Sequence, residues 1–344
     1  MRAVCENWLS RIWYGMSAAY IPLLPFSWLF KYAAGARRFL YKKKLLKAYK
    51  VGVPVIIVGN ISVGGTGKTP AAVWLAEQLK YSGKIPGIIS RGYPGHVGKL
   101  PVVVRPDSDP EIVGDEAILM ATRTGCKVVV HPNRVAAARK VVELGANIII
   151  SDDGLQHYGL ARDFEIVVMD TSRGFGNGKL LPAGPLREPV SRLHSVDMVL
   201  VNCENSKPEA SQFENSSTWT FQLAAKSVHR VDESETREIQ YFSGKRVHAV
   251  AGIGNPERFF RMLQGLGIDA VPHPLSDHAD IGVSDITFAD DLDVLMTEKD
   301  AVKCRQFNTD KCWYVAADLH IKDSGPMQPI DLILSKISPR KATI

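Results

Sequence analysis

A glycine-rich segment that ends in lysine and threonine is the clearest sign of chemistry in the chain. Residues 62–69 read Ser-Val-Gly-Gly-Thr-Gly-Lys-Thr, follow the apolar run Val53–Val58 and precede a helical pattern over residues 71–79. Consecutive glycine N–H groups can surround phosphate oxygens, the lysine reaches the β- and γ-phosphates, and the last hydroxyl can bind Mg²⁺. We therefore expect a nucleoside triphosphate, ATP, to be held by Gly64, Gly65, Thr66, Gly67, Lys68 and Thr69.

Two adjacent acids, Asp152 and Asp153, end the apolar run Ile148–Ser151. In phosphate-loop proteins a buried strand ending in aspartate holds Mg²⁺, and a second carboxylate is then free for another role. Gln156 and His157 follow within one turn and could orient water or a ligand. The alternative interpretation is an acidic cap of an ordinary loop.

Three more groups suit phosphoryl transfer, which needs charge neutralisation and an acceptor for the proton of the attacking hydroxyl. Asp115 follows Gly114 at a predicted strand-to-helix turn, where it could approach the γ-phosphate or simply cap the helix. His278 follows Asp277, and an acid beside a histidine can set the basicity of the imidazole. Arg187 lies on a stiff Pro/Gly loop that can hold a guanidinium against phosphate.

The arrangement of apolar runs and helical patterns predicts an α/β protein. Runs without polar alternation, separated by helices, indicate a parallel sheet covered on both faces. In the first half we predict strands at 85–90, 101–104, 126–130, 146–150, 164–170 and 198–201, with helices from 115 and over 133–144. In the second half we predict strands at 247–251, 268–271, 293–297 and 313–316, with a helix over 257–265.

These elements divide the chain into a phosphate-loop domain of P-loop NTPase type and a smaller second α/β domain. The predicted boundaries are 1–44 for an N-terminal helix with a basic cluster, 45–203 for the phosphate-loop domain, 204–240 for a linker and 241–344 for the smaller domain. One or two edge strands are expected near Trp219–Leu223. The glycines at 252 and 254 predict a structural turn, and the charges at 298–300 predict surface capping.

Composition excludes several classes of protein. The chain has 344 residues, 45% of them hydrophobic, and five scattered cysteines without a CxxC pair, which fits a reducing compartment and neither a disulfide scaffold nor a zinc site. The net charge of +6 is concentrated in the first 50 residues, which hold ten basic residues and one acid. The remainder is mildly acidic, so nucleic-acid binding is not expected.

The N-terminal segment predicts a helix on a membrane surface. No charged residue occurs between Arg11 and Lys31, the stretch is rich in aromatics, and a basic cluster follows at 37–44. Aromatic side chains beside basic ones favour an anionic lipid surface. A transmembrane span is interrupted by Pro22 and Pro25, and a helix packed on the protein's own core is the other alternative. A signal peptide is disfavoured because export would separate the nucleotide site from ATP.

Taken together, the motifs resemble those of the tetraacyldisaccharide 4′-kinases, the lipid A kinases of Gram-negative bacteria. The resemblance extends in order from the N-terminal segment to about residue 303 and is carried by residues 59–70, Ser90-Arg91-Gly92-Tyr93, Gly114-Asp115-Glu116, Asp152–His157, Leu186–Pro189, Asp277-His278 and Thr297–Ala301. It implies transfer of the γ-phosphate of ATP to the 4′-hydroxyl of an acylated glucosamine disaccharide 1-phosphate, forming lipid IVA. It also implies the cytoplasmic face of the inner membrane as the place of action.

The resemblance further implies a role for each candidate residue. Lys68 and the loop backbone hold the triphosphate, and Thr69 with Asp152 or Asp153 holds Mg²⁺. Asp115, assisted by His278, accepts the hydroxyl proton, and Arg187 steadies a phosphate. The implied substrate contacts are Tyr93, Gln156 and His157. After His278 this chain has Ala279-Asp280 where the family usually has a further aromatic or histidine.

Two other functions stay open on the sequence. One is a phosphate-loop kinase of a soluble small molecule, and the other is a membrane-bound ATPase switch that transfers no phosphate to lipid. A GTPase is disfavoured because residues 201–204 read Val-Asn-Cys-Glu where a guanine-binding Asn-Lys-x-Asp motif would stand. The sequence also leaves open whether the base is Asp115, His278 or an acid of the 152–153 pair.

Overall fold

The apolar runs of the sequence become the strands of one long, mostly parallel sheet. In the computed structural model, the described residues are 9, 11–15, 18–92, 95, 98–203, 217–277, 279–307, 310–322 and 327–337. The strands are β1 Val55–Gly59, β2 Pro86–Ser90, β3 Val102–Val104, β4 Lys127–Val130, β5 Ile148–Asp152, β6 Phe164–Asp170, β7 Met198–Asn202, β8 Ser217–Arg230, β9 Thr236–Glu238, β10 Arg246–Ala251, β11 Asp269–Pro274, β12 Val294–Thr297 and β13 Cys312–Ile321.

The helices lie between these strands. They are α1 Leu24–Lys42, α2 Lys68–Tyr81, α3 Pro110–Val113, α4 Asp115–Thr124, α5 Arg134–Glu143, α6 Pro256–Gly265, α7 Glu298–Cys304 and α8 Pro329–Ile337. Short 3₁₀ turns occur at Ala18–Leu23, Val190–Ser195, Ile239–Phe242 and Val283–Asp285.

The position of β1 in the sheet determines which residues lie beside the phosphate loop. Within the described residues the order is β11-β10-β12-β13-β8-β7-β6-β1-β5-β2-β4-β3, with β9 paired to β8. β1 is parallel to both β5 and β6, and Val58 is in register with Asp152. Because parallel strands end at the same edge, the loop after β1 and the acids after β5 are neighbours.

The core explains why the strands do not alternate between apolar and polar residues. Ile56 and Val58 of β1 pack on one face of the sheet with α2, whereas Val55 and Ile57 pack on the other face with α5. Both faces are therefore buried, as parallel sheets require. The predicted parallel α/β architecture with helices on both faces is confirmed.

The expectation of edge strands near residue 219 is wrong. β8 lies inside the sheet, parallel to β7 and antiparallel to β13, and so joins the two halves. Burial along β8 is uneven, with Trp219 and Phe221 buried among partly exposed neighbours. That pattern explains why the segment looks polar in sequence. Phe221 is fully buried and packs beneath Gly67 of the phosphate loop.

Helix α1 has a docked face and an exposed face. Residues 27, 30, 34, 38 and 41 are buried or half-buried, a spacing that places them on one side of the helix. On that side Ser27 Oγ donates a hydrogen bond to the Leu180 carbonyl at 2.8 Å, and Phe30 packs against the core. Among the described residues, no helix has the length and apolar character needed to cross a membrane.

The opposite side of α1 presents large apolar groups to the exterior. Its exposed side chains include Phe26, Trp28, Leu29, Tyr32 and Phe39. These exposed apolar side chains are grouped on one helix rather than scattered singly over the surface.

Candidate active site

The phosphate loop connects β1 to α2 and is held by its own backbone geometry. Gly64 and Gly67 have φ of 108° and 91°, in the left-handed region that glycine adopts without strain. Asn60 Nδ2 lies 3.4 Å from both the Gly64 carbonyl and Thr66 Oγ1, so this amide braces the loop from within. Lys68 is the first residue of α2, and its ammonium therefore stands at the N-terminus of that helix.

Asp152, at the end of β5, is a buried carboxylate in need of positive charge. It is 2% exposed, and its Oδ2 accepts a hydrogen bond from Ser90 Oγ at 3.2 Å. Its Oδ1 is buried without a hydrogen-bond partner among the residues that the structure describes. Burial, together with the negative charges of Glu116 and Asp153, raises the pKa of Asp152. A divalent cation supplies the charge that this carboxylate lacks, so the residue fits a Mg²⁺ ligand.

Asp153 is held between two cations in a rare backbone conformation. Its φ of 46° is unusual for a residue other than glycine and indicates a conformation imposed by the surroundings. Lys68 Nζ lies 3.7 Å from Asp153 Oδ1, and Arg187 Nη1 donates to both carboxylate oxygens at 3.0 Å. Burial opposes ionisation, but the charges of Lys68 and Arg187 lower the pKa of Asp153 to about 2. The structure thus brings together three residues that the sequence singled out separately.

Asp115 is buried at the start of α4, beside residues of the second half of the chain. It is 2% exposed, and its Oδ1 accepts the Glu116 N–H at 2.8 Å. Lys303 Nζ lies 3.5 Å from Asp115 Oδ2. The expected strand-to-helix turn is wrong, because the short helix α3 and Gly114, with φ of 84°, precede Asp115. The glycine makes the sharp turn that buries the carboxylate.

Gln156 and His157 lie beside the phosphate loop. The hydrogen bonds of Gln156 and the lowered pKa of His157 limit what each side chain can do. Gln156 Nε2 donates to the Asn60 carbonyl at 3.2 Å and to Glu188 Oε1 at 3.1 Å, so its amide ties the phosphate loop to the Arg187 loop. Burial and the nearby Arg134 charge lower the pKa of His157 to about 4, so this imidazole is neutral at pH 7. Tyr93 and His278 lie outside the described residues.

Arg134 is a site residue that the sequence did not reveal. It is 3% exposed at the start of α5, and its Nη2 donates to the Asp152 carbonyl at 2.8 Å. Burial lowers the pKa of Arg134 to about 10, which still leaves the guanidinium charged at pH 7. In the sequence, the sign of this role is that Arg134 is the first helical residue after β4, at the edge of the sheet where parallel strands bind ligands.

The second half of the chain contacts the phosphate loop directly. A Cβ on Gly254 would stand 3.1 Å from the Gly65 nitrogen, and Arg173 donates to the Gly254 carbonyl. The turn predicted as structural therefore also covers the loop. The predicted surface position of residues 298–300 is wrong. Asp300 is fully buried and accepts the Gly252 N–H at 2.9 Å.

Comparison with known proteins gives one consistent family. Residues 19–335 match the family model LpxK, tetraacyldisaccharide-1-P 4′-kinase. A tetraacyldisaccharide 4′-kinase of Nitrosococcus oceani is 46% identical over 94% of this chain and 93% of its own length. One from Methylobacillus flagellatus is 48% identical over 92% of each chain.

Among solved structures, the "apo" form crystal structure of LpxK from Aquifex aeolicus in complex with ATP has a similar fold. Its TM-score is 0.78 and its identity 29%, covering 93% of this chain and 99% of that one. The similarity therefore includes both halves of the sheet.

His157 predicts a pH dependence of stability. Because its pKa is about 4 in the folded protein and about 6.5 in an unfolded chain, protons bind the unfolded state more tightly. Its contribution is complete above pH 6.5 and is lost as the pH falls towards 4. Between pH 7.5 and 5.0, the wild-type free energy of unfolding should fall by about 1–2 kcal/mol more than that of His157→Gln.

Urea unfolding at the two pH values measures this difference. The control His194→Gln replaces an exposed histidine of the same half of the chain and should behave as the wild type does. Equal pH dependence of His157→Gln and the wild type would contradict a buried neutral imidazole.

Proposed function

The chain belongs to the tetraacyldisaccharide-1-P 4′-kinase family, and we propose that it transfers the γ-phosphate of ATP to the 4′-hydroxyl of a tetraacyldisaccharide 1-phosphate. The product is the 4′-phosphorylated lipid A precursor, lipid IVA. The observation that carries the proposal is the arrangement of Lys68, Asp152 and Asp153 where β1 and β5 end side by side. A phosphate cradle facing two acids suits the transfer of a metal-bound phosphoryl group.

We propose that the loop from Gly64 to Thr69 binds the triphosphate and that Thr69 and Asp152 hold Mg²⁺. A metal ion held by Thr69 and Asp152 would supply positive charge to offset the charge of the triphosphate. Asp152 is the better ligand of the acid pair because its Oδ1 has no partner in the described residues. Asp153 instead keeps Lys68 and Arg187 in place, and each of these cations lies where a phosphate could replace the carboxylate as its partner.

We propose that Asp115, assisted by His278, is the base that accepts the proton of the attacking hydroxyl. A loose phosphoryl-transfer transition state needs little deprotonation of the attacking hydroxyl, so a carboxylate suffices. Asp115 is shielded from solvent, which strengthens its interaction with a hydroxyl. Tyr93, Gln156 and His157 remain proposed substrate contacts. Gln156 would have to release Glu188 or Asn60 to reach a ligand.

We also propose that the predicted units 45–203 and 241–344 close on the nucleotide. The Gly254 turn of the second unit already touches the phosphate loop of the first. The exposed apolar face of α1, flanked by the basic cluster at 37–44, would rest on the inner membrane at its cytoplasmic face. An enzyme placed in this way meets ATP from one side and a membrane-resident lipid from the other.

Labelled ATP and an acylated glucosamine disaccharide 1-phosphate, separated by thin-layer chromatography, test the reaction. The wild-type chain with Mg²⁺ should produce labelled lipid. Release of labelled inorganic phosphate without labelled lipid would favour the ATPase switch. Phosphorylation of a deacylated disaccharide, without phosphorylation of the acylated one, would favour a kinase of soluble sugars.

Asp115→Asn tests the base. The amide keeps the shape and the N-terminal position but cannot accept the proton, so kcat should fall about 10²–10⁴-fold. KM for ATP should stay within about threefold, since the triphosphate is held elsewhere. Asp291→Asn, at a fully exposed carboxylate, should change neither constant. A kcat within twofold of wild type would reduce Asp115 to a helix-capping residue.

The triple variant Phe26→Ser, Leu29→Ser, Phe39→Ser tests the membrane face. Removing three apolar side chains that enter lipid should weaken sedimentation with anionic vesicles by about 100-fold or more. Activity on detergent-dispersed substrate should be retained, because these side chains point away from the body. The matched control Tyr81→Ser, Leu100→Ser changes exposed side chains elsewhere. Equal loss in this control, or no loss in the triple variant, would place the membrane contact on another surface.

A further inference from the structure

A cluster of charges between α4 and α7 surrounds the proposed base, Asp115, with groups that have no role in the proposed function so far. It contains two lysines of α7 and four carboxylates, namely Lys299, Lys303, Asp115, Glu116, Asp277 and Asp300. The lysines are four residues apart on a helix and so share one face. They come from the second half of the chain, whereas Asp115 and Glu116 come from the first. The cluster is thus a contact between the two halves at the proposed base.

Each lysine joins α4 to the loop that carries residue 278. Lys299 Nζ lies 3.2 Å from Glu116 Oε1 and 3.3 Å from Asp277 Oδ1. Lys303 Nζ lies 3.5 Å from Asp115 Oδ2 and donates to the Ala279 carbonyl at 2.7 Å. Residues 277 and 279 are therefore both held, one by each ammonium group. The pair of lysines fixes the two flanks of position 278 relative to Asp115 and Glu116.

Burial makes these contacts strong. The side chains of Lys299 and Lys303 are 14% and 13% exposed, and that of Asp115 is 2% exposed. The negative charges of Glu116, Asp115 and Asp277 outweigh the burial of Lys299 and raise its pKa. An exposed ion pair contributes little, but removing one partner of a buried pair leaves an uncompensated charge. The geometry of Asp115 therefore depends on Lys303, and that of its neighbour Glu116 on Lys299.

We propose that Lys299 and Lys303 are positioning residues for phosphoryl transfer, which hold the Asp115 carboxylate against the loop that carries position 278. The inference rests on the proposed function and deepens it. Neither lysine needs to touch the nucleotide or the lipid. Each acts through a carboxylate or a loop, so its loss should slow turnover and leave ATP binding intact.

Lys303→Met and Lys303→Arg test the proposal in the labelled-lipid assay. Lys303→Met should lower kcat about 10- to 100-fold, with KM for ATP within about threefold, because the triphosphate contacts are unchanged. Lys303→Arg keeps the charge and should recover kcat to within about fivefold of wild type. Lys311→Met removes an exposed lysine of the same half of the chain, paired on the surface with Asp291, and should retain full activity.

A double-mutant cycle separates positioning from a general role in stability. If Lys303 acts through Asp115, adding Lys303→Met to Asp115→Asn should change kcat by less than about twofold. This double variant removes both charges of the Lys303–Asp115 pair, while Asp300, which also faces Lys303, keeps its hydrogen bonds from the Gly252 N–H and Thr297 Oγ1. It therefore decides the question even where Lys303→Met alone fails to fold, because no carboxylate at position 115 is left without its cation.

The outcomes distinguish failure of the proposed function from failure of the positioning role. Absence of labelled lipid with the wild type overturns the proposed function. With an active wild type, full activity of Lys303→Met, or an equal fractional loss from Lys303→Met in the wild-type and Asp115→Asn backgrounds, overturns the positioning role alone.

Discussion

The parallel register of β1 and β5 is the constraint on which the site depends. It places the end of one strand, from which a phosphate loop leaves, beside the end of another that carries Asp152 and Asp153. Apart from Ser151, the residues of the two strands before Asp152 are apolar or glycine, so Asp152 is buried at the end of β5 and needs cations near it. Lys68, Arg134 and Arg187 converge on this point from three separate segments. The candidate site is therefore a balance of charge around two carboxylates, to which the proposed nucleotide and metal ion would add their own charges.

A second balance of charge links the halves of the chain. At Asp153 the cations come from the same half of the sequence as the acid, whereas at Asp115 and Glu116 they come from α7. Separation of the halves would expose these charged groups to water or leave them buried without a partner of opposite charge. The buried charges therefore favour one relative position of α4 and α7. Strand β8 supports that position because it pairs with β7 on one side and β13 on the other. Backbone pairing in the sheet sets the overall arrangement of the two halves, and the buried ion pairs set the position of α4 against α7.

The sequence predicted the local parts of this arrangement better than the contacts between them. The phosphate loop, the strand ending in two acids and most strands were visible because glycine spacing and apolar runs are properties of neighbouring residues. The sequence of β8 predicts edge strands because few of its residues belong to a continuous apolar run, and the charges at 298–300 predict a surface position because charge usually indicates exposure. Arg134 and the α7 lysines are buried by partners distant in sequence, and no local pattern records such pairing.

The route by which lipid would meet the site follows from how α1 is attached. Ser27 of α1 bonds to the Leu180 carbonyl, and Trp13 donates from its indole nitrogen to the Pro182 carbonyl at 2.9 Å. The loop that accepts both bonds continues to Arg187, whose N–H binds the Ile61 carbonyl at 2.7 Å beside the phosphate loop. The segment with the exposed apolar face is therefore connected to the phosphate loop through one short loop. In the proposed function, this connection would link the lipid-facing helix to the loop that carries Arg187.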